Sequence, residues 1–235
     1  MAQSQEEIVA FFNLKENDSN PTLPLNWNIA PTNEIYIVKD SVDLPRRLDT
    51  ASWGLIAPWA KTFADARAGQ SHAINARSES IHEKPTFRDA FRTSRCLIPA
   101  TGYYEWATSL GKYPPKQPFY ITTKSGEPLS IAGIWSTWRN EKGELIQSAS
   151  IITREAVDEL ATIHSRMPVF MARDRWDEWL DPKNRDIHSL QALMQNENPT
   201  AGLTTRPVSP RVNVVANNGP EIIAPYELGE PETLF

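Results

Sequence analysis

Asn75, Arg77 and Glu79 put an amide, a guanidinium and a carboxylate into one short segment, Ile74-Asn75-Ala76-Arg77-Ser78-Glu79. In extended chain alternate side chains share a face, so these three point one way and Ile74, Ala76 and Ser78 the other. Such a face suits a phosphate, a carboxylate or a carbonyl oxygen. It equally suits a solvated edge strand with a local ion pair, which by itself contributes little. A second polar group lies in Thr101-Gly102-Tyr103-Tyr104-Glu105-Trp106. A carboxylate flanked by aromatic rings is partly desolvated, which disfavours its charged form and prepares it to hold a proton. Glu105 is therefore the general acid/base candidate, against the alternative of an exposed strand residue with aromatic neighbours. The third group is Ile163-His164-Ser165-Arg166-Met167-Pro168, a histidine beside a helix end with an arginine two positions on. His164 is either structural or a proton carrier near neutral pH.

The elements that must carry these residues are short. Ser4-Gln5-Glu6-Glu7 is a capping box, followed by Ile8, Phe11 and Phe12 at helical spacing, which predicts a helix over 5–14. A polar, proline-containing loop covers 15–26. Trp27-Asn28-Ile29-Ala30-Pro31-Thr32 is a turn before a strand at Glu34–Lys39, with Asn28 bonding its own backbone. Ala51 to Trp59 begins as a strand and ends at a proline corner, and a glycine-containing loop leads from there to Asn75. A helix runs from Lys84 to about Ser94, then a short apolar strand, Arg95–Ala100. Strands follow near 118–123, 129–138 and 145–153, with a hairpin turn at 141–143, and they read as antiparallel. Glu155–Ile163 reads as a helix, Val169–Met171 as a strand. Helices follow at Trp176–Leu180 and Leu190–Met194, a strand at Leu203–Ser209, and an acidic tail over about 225–235.

Composition narrows the function classes. The chain has 235 residues, 40% of them apolar, with no linker, low-complexity tract or repeat, so one domain with a substantial core is expected. Nineteen prolines against ten glycines favour short elements and stiff turns over long helices. With 24 basic and 29 acidic residues the net charge is −5, which excludes a uniformly basic nucleic-acid binder but not a local basic groove. Arg77, Arg88, Arg92, Arg95, Arg154, Arg166, Arg206 and Arg211 are available to build one. The single cysteine, Cys96, excludes an internal disulfide and a cysteine-based zinc site, and it reads as a small buried hydrophobe. His72, His82, His164 and His188 show no metal-ligand spacing, so no metal and no cofactor are expected. No long apolar run or signal peptide is present, and a soluble cytoplasmic protein is expected, with no membrane partner. Trp53 and Trp59 are either core or platforms on which a base could stack.

Six segments in order resemble one family. They are Trp27-Asn28-Ile29-Ala30-Pro31, Trp53-Gly54-Leu55-Ile56-Ala57-Pro58-Trp59, Asn75-Ala76-Arg77-Ser78-Glu79, Gly102-Tyr103-Tyr104-Glu105-Trp106, Ile163-His164-Ser165-Arg166-Met167-Pro168, and Val208-Ser209 through Asn217. Together, over about residues 3–224, they resemble the SOS-response-associated peptidase (SRAP) family. The resemblance implies an α+β fold, a mainly antiparallel, barrel-like β core with short helices around it. It also implies protection of abasic sites in single-stranded DNA by a monomer that associates with the nucleoid when on DNA. In that family an N-terminal Cys attacks the aldehyde of the opened abasic sugar through its α-amine, and its thiol then closes a thiazolidine. The chemistry is sound, because an α-amine is substantially unprotonated near neutral pH and a 1,2-aminothiol traps an aldehyde in two additions.

Carried over to this chain, the resemblance implies that Asn75 positions the N-terminus, Glu105 acts as acid/base and His164 shuttles a proton at the sugar oxygen. Arg77 and Arg166 would hold the flanking phosphates, and Trp53, Trp59 and Trp106 would shape the DNA path. The family begins Met-Cys-Gly-Arg-Phe ahead of a segment like Ala2-Gln3-Ser4-Gln5, and here Met1 falls near the place of that Phe. The chain as written, whether truncated or a natural member without that Cys, is expected to be unable to close the thiazolidine. Cys96, not being N-terminal, lacks the adjacent amine. Two other readings stand beside the crosslinker: a non-covalent single-strand or modified-base binding module, and a peptidase acting on its own N-terminus.

Overall fold

The structure is a computed structural model and describes residues 2–14, 22–41, 46–108, 110–111 and 113–227. In chain order its helices and strands are α1 (Gln5–Phe11), β1 (Glu34–Lys39), β2 (Arg47–Trp53), α2 (Phe63–Ser71), β3 (Asn75–Arg77), α3 (Pro85–Thr93), β4 (Arg95–Ala100), β5 (Gly102–Ala107), β6 (Gln117–Thr123), β7 (Leu129–Arg139), β8 (Leu145–Glu155), α4 (Asp158–Ile163), β9 (Arg166–Pro168), α5 (Trp176–Leu180), α6 (Ile187–Leu193) and β10 (Leu203–Pro207).

Five strands close a barrel in the order β2, β1, β4, β7, β8, and β8 returns to β2 through the parallel pairs Ser52↔Ser148 and Trp53↔Ala149. Closure leaves these strands no open edge. Alternation sorts their side chains. Ile35, Ile37, Ala51, Cys96, Ile98, Ile131 and Ala149 fill the interior. Val38, Leu48, Leu97, Ala132, Ile134 and Ile152 face outward and pack against Ile8, Phe12, Phe91, Trp176, Trp179 and Leu190 of the helices. The interior is tight: a Cβ on Gly133 would stand 2.7 Å from Ile98 Cδ1 and 3.0 Å from Cys96 Sγ. A second, antiparallel sheet has the order β10, β6, β5. The expected α+β barrel core with short surrounding helices is what the chain forms.

The decisive feature is the length of β8. Its first half pairs with β7 and closes the barrel on β2. Its last residues run on, and there β3 pairs with it in parallel (Asn75↔Ile151, Arg77↔Thr153) while β9 pairs antiparallel (Thr153↔Pro168, Glu155↔Arg166). The overhang thus gathers two of the three polar segments.

Several expectations are corrected. The capping box is formed, with Glu7 N–H donating to Ser4 Oγ at 3.2 Å and Ser4 N–H to Glu7 Oε2 at 2.8 Å, but α1 ends at Phe11. The glycine-containing loop before Asn75 is largely α2; Thr62 caps it through Asp65 N–H at 3.1 Å. Only Ala66 and Gln70 of α2 are buried, too few to leave a legible helical period. Glu155 still belongs to β8, so α4 starts only at Asp158; the strand expected at Val169–Met171 lies instead at Arg166–Pro168, and only an isolated bridge of Phe170 to Ile131 follows it. The loop at 15–26 and the acidic tail fall largely outside the described residues.

Candidate functional site

Main-chain geometry sets the first segment. Gly54 has φ +118°, its N–H donates to Ala149 O at 2.7 Å, and a Cβ there would stand 2.6 Å from Gln70 O. That close approach lets Leu55 N–H reach Ala73 O at 2.9 Å and Trp53 Nε1 reach Ile74 O at 3.1 Å. Ile151 N–H also donates to Ile74 O, at 3.1 Å. β3 is therefore pinned at Ile74, the residue that leads into it. Ala76 is fully buried, while Asn75 and Arg77 are exposed on the opposite face. Among the described residues neither makes a side-chain hydrogen bond or ion pair. Glu79 leaves this face, because the chain turns at Ser78 after its N–H donates to Thr153 O at 2.8 Å.

The second and third segments meet. β5 must begin with glycine, since a Cβ on Gly102 would stand 2.5 Å from Ile121 O. Tyr104 faces Tyr120 (5.3 Å between ring centres) and donates to Trp27 O at 2.7 Å. Tyr103, on the other face, packs near Phe170, and Glu105 shares that face by alternation. α4 is seated by buried Leu160 and Ile163 against Ala107, Phe119 and Ile121, and tied by Thr200 Oγ1 to Asp158 and Thr205 Oγ1 to Glu159, both at 2.5 Å. His164 caps α4, which places its Nδ1 3.7 Å from Glu105 Oε2. The Glu105 side chain is 26% exposed. Burial raises its pKa above the usual carboxylate value; the imidazolium form of His164 and the Trp106 N–H offset part of this. His164 Nδ1 also lies 3.2 Å from both the N–H and the carbonyl of Arg166, so either tautomer has a main-chain partner. A carboxyl whose burial favours its protonated form, next to an imidazole at the surface, can donate and recover a proton at an adjacent substrate atom.

The arginines divide into free and engaged. Arg166 forks onto Glu79, with Nη1 and Nη2 at 2.7 and 2.9 Å, and Nη2 donates to Thr153 O at 2.7 Å. The Arg166 guanidinium holds Glu79 well down, at a pKa of about 2. Arg95 is buried on the carbonyls of Trp179, Phe91, Asp181 and Asn184. Arg206 donates to Ile223 O at 2.8 Å and lies over the Tyr120 ring. Arg77 remains outward and unengaged. Of the tryptophans, Trp53 is half-buried against the barrel interior. Trp59 is 55% exposed beside an open groove of about 540 Å³ lined also by Lys61, His72 and Phe87. Trp106 is 38% exposed on the face of β5 opposite Glu105 and donates to Asn213 Oδ1 at 2.8 Å.

Two contributors were not legible in the sequence. Asn28 does not bond its own turn through its side chain. It donates to the carbonyls of Val212, Val214 and Asn217 at 3.0, 3.2 and 3.1 Å and clamps that segment beside Trp106. Thr101 accepts from Ala2 N–H at 2.8 Å, which sets the start of the described chain against the head of β5. Cys96 is fully buried and burial pushes its thiol pKa up, as befits packing rather than attack. Among the described residues no helix is long and apolar enough to cross a membrane.

The chain matches the family described as SOS response associated peptidase (SRAP) over residues 1–215. It is 36% identical over 223 residues to the abasic site processing protein YoqW of Bacillus subtilis, covering 93% of this chain and 94% of that one. It is 32% identical over 243 residues to the abasic site processing protein HMCES of Rattus norvegicus, covering 92% and 65%. Among solved structures, a protein from Bacteroides thetaiotaomicron superposes with a TM-score of 0.72 at 27% identity over 83% of this chain and 82% of that one. A protein from Bordetella bronchiseptica superposes at 0.71, also at 27% identity, over 89% and 97%.

Proposed function

The chain belongs to the SRAP family, and from that premise we propose that it processes abasic sites in single-stranded DNA by covalent capture, with Glu105 and His164 handling the protons. The observation that carries the reading is the partly buried Glu105 carboxyl standing 3.7 Å from His164 Nδ1. A pure binding module has no use for such a pair.

In this reading the amine and thiol come from a Cys carried ahead of Ala2 in a Met-Cys-Gly-Arg-Phe segment, and Ala2 already lies at the head of the strand that bears Glu105. In its protonated form Glu105 gives its proton to the sugar ring oxygen as the ring opens, and its carboxylate takes up the C1′ hydroxyl proton as the aldehyde forms. The amine adds to C1′, one of its protons passing to the oxygen; the carbinolamine hydroxyl leaves as water with a proton from the same carboxyl, which recovers a proton from nitrogen as the imine forms. The thiol adds to the imine carbon, its proton passing to nitrogen, and the thiazolidine closes with no oxidant or reductant needed. His164 relays protons between Glu105 and the sugar oxygen. Asn75, exposed on β3, orients the attacking amine. Arg77 takes a phosphate beside the lesion, and Trp53, Trp59 and Trp106 line the path of the strand. Single-strand binding of this kind is salt-sensitive.

The test is a denaturing-gel assay with abasic single-stranded DNA, comparing the chain as given with a form beginning Met-Cys-Gly-Arg-Phe ahead of Ala2. A heat-stable crosslink from the extended form alone is the expected result. Binding without crosslinking by both forms would establish a non-covalent reader and withdraw the roles given to Glu105 and His164.

A further inference from the structure

We propose that Thr200 and Thr205 are positioning residues for His164: their hydroxyls latch the outer end of α4 to the sheet that carries Glu105, and this latch sets the distance between Glu105 and His164. The inference rests on the reading of Glu105 and His164 as the proton-handling pair.

α4 needs an external hold. It has six residues, far below the roughly 12–15 at which a helix is even marginally stable alone. Its N-cap is Val157, whose side chain makes no capping bond. Asp158, the first helical residue, has φ +52°, a left-handed backbone that L-residues enter at a cost. The chain leaves β8 and comes back to it: Ala156 N–H donates to Ser165 O at 3.0 Å and closes the base of the excursion. Asp158 and Glu159 lie exposed at its outer end. Leu160 and Ile163 seat the helix on Phe119 and Ile121. A helix seated on two side chains can rock about them.

Two hydroxyls oppose the rocking. Thr200 Oγ1 donates to Asp158 Oδ2 and Thr205 Oγ1 to Glu159 Oε1, both at 2.5 Å. Hydrogen bonds to a carboxylate are among the stronger, charge-assisted ones. The threonines stand on a firm frame. Thr205 of β10 pairs with Ile121 of β6, and Phe119 of β6 pairs with Glu105 of β5. Thr200 O accepts from Leu203 N–H at 3.0 Å and Gly202 O from Lys124 N–H at 2.7 Å, which fixes the turn before β10 to the end of β6. α4 thus crosses the sheet from β10, where it is latched, to β5, where its C-cap presents His164 to Glu105. Carboxyl and imidazole are referred to one three-stranded frame. Their separation of 3.7 Å lies just outside hydrogen-bond reach, so a shift of about 0.5 Å decides whether a proton passes between them. The threonines reach the reaction only through the helix, so their loss falls on rate more than on binding.

The experiment compares Thr200→Val, Thr205→Val and the two together with the conservative Thr200→Ser, Thr205→Ser and Asp158→Asn. In the extended protein beginning Met-Cys-Gly-Arg-Phe, maximal single-turnover crosslinking should fall about 10- to 100-fold in the double valine variant. The DNA concentration for half-maximal rate should stay within about threefold. Each single valine variant should lose less, because the remaining tie still holds the helix. Serine keeps the hydroxyl, and Asn at 158 keeps an acceptor and tolerates the left-handed backbone, so these three should stay within about threefold of the parent rate. In the chain as given, the imidazole nitrogen signals of His164, read by NMR without DNA, should move in the double valine variant. Those of His72, His82 and His188, on other elements, should stay in place. A double-variant rate within about twofold of the parent, unmoved His164 signals, or serine variants as slow as the valine ones would overturn the proposal. So would a raised half-maximal DNA concentration at an unchanged maximal rate, the pattern of a binding contact. Movement of all four histidines together would mean unfolding in place of repositioning and would overturn it as well. Should the extended parent form no crosslink, the reaction reading fails, and the His164 signals still decide the latch.

Discussion

Replacing Glu105 with Gln should slow crosslinking, leave DNA affinity nearly unchanged and raise stability. The amide matches the carboxyl in size but can neither give nor accept the catalytic proton. General acid/base groups contribute about 10²–10⁴-fold, so crosslinking by the extended protein should slow by that factor, about 2.7–5.4 kcal/mol of barrier. Affinity for intact single strands should hold within a few fold or improve, because one negative charge leaves the site. Stability should rise at neutral pH. Burial raises the pKa of Glu105, so the folded chain binds this proton more tightly than the unfolded one. The site's contribution is then full below the ordinary value of 4.5 and declines as pH climbs through the folded pKa. Gln does not ionise, so the variant should melt higher than its parent near pH 8, with the gap closing near pH 4. The assays are single-turnover gels on an abasic oligonucleotide, equilibrium binding, and melting at the two pH values. A rate within about threefold of the parent, or a lower melting point at pH 8, would refute the assignment.

Arg77→Ala should weaken intact and abasic single strands alike and flatten the salt dependence by about 0.7 in slope, one phosphate's worth; a loss confined to abasic DNA would contradict the phosphate role. Gly54→Ala should cost about 2–4 kcal/mol, from left-handed backbone strain and overlap with Gln70 O, and lower the melting point by roughly 5–15 °C. A melting point within about a degree of the parent would show that the 53–55 to 70–75 contact relaxes freely. In the chain as given, Cys96 should resist an aromatic disulfide reagent until denaturant is added; rapid labelling of the native protein would mean that the barrel interior opens.

What the sequence determined by itself is local. The capping box at Ser4–Glu7 and the strands Glu34–Lys39 and Arg95–Ala100 each rest on residues a few positions apart, so their chemistry could be read in place. Six ordered segments likewise placed the chain in its family. The pairings that build the site are of another kind. Glu79 and Arg166 are 87 residues apart, and Asn28 lies 184 residues from the first carbonyl it holds. No periodicity links such partners. They meet only because the barrel closes on β8 and the end of that strand runs on, bringing a parallel strand to one side and an antiparallel one to the other. The same closure turns Arg166 inward onto Glu79 while Arg77 stays in solvent, although as residue types in a polar segment the two look alike. Side-chain type was legible along the chain. Which donors stay free was decided by tertiary structure, because burial and partner geometry belong to the folded surface and not to the segment.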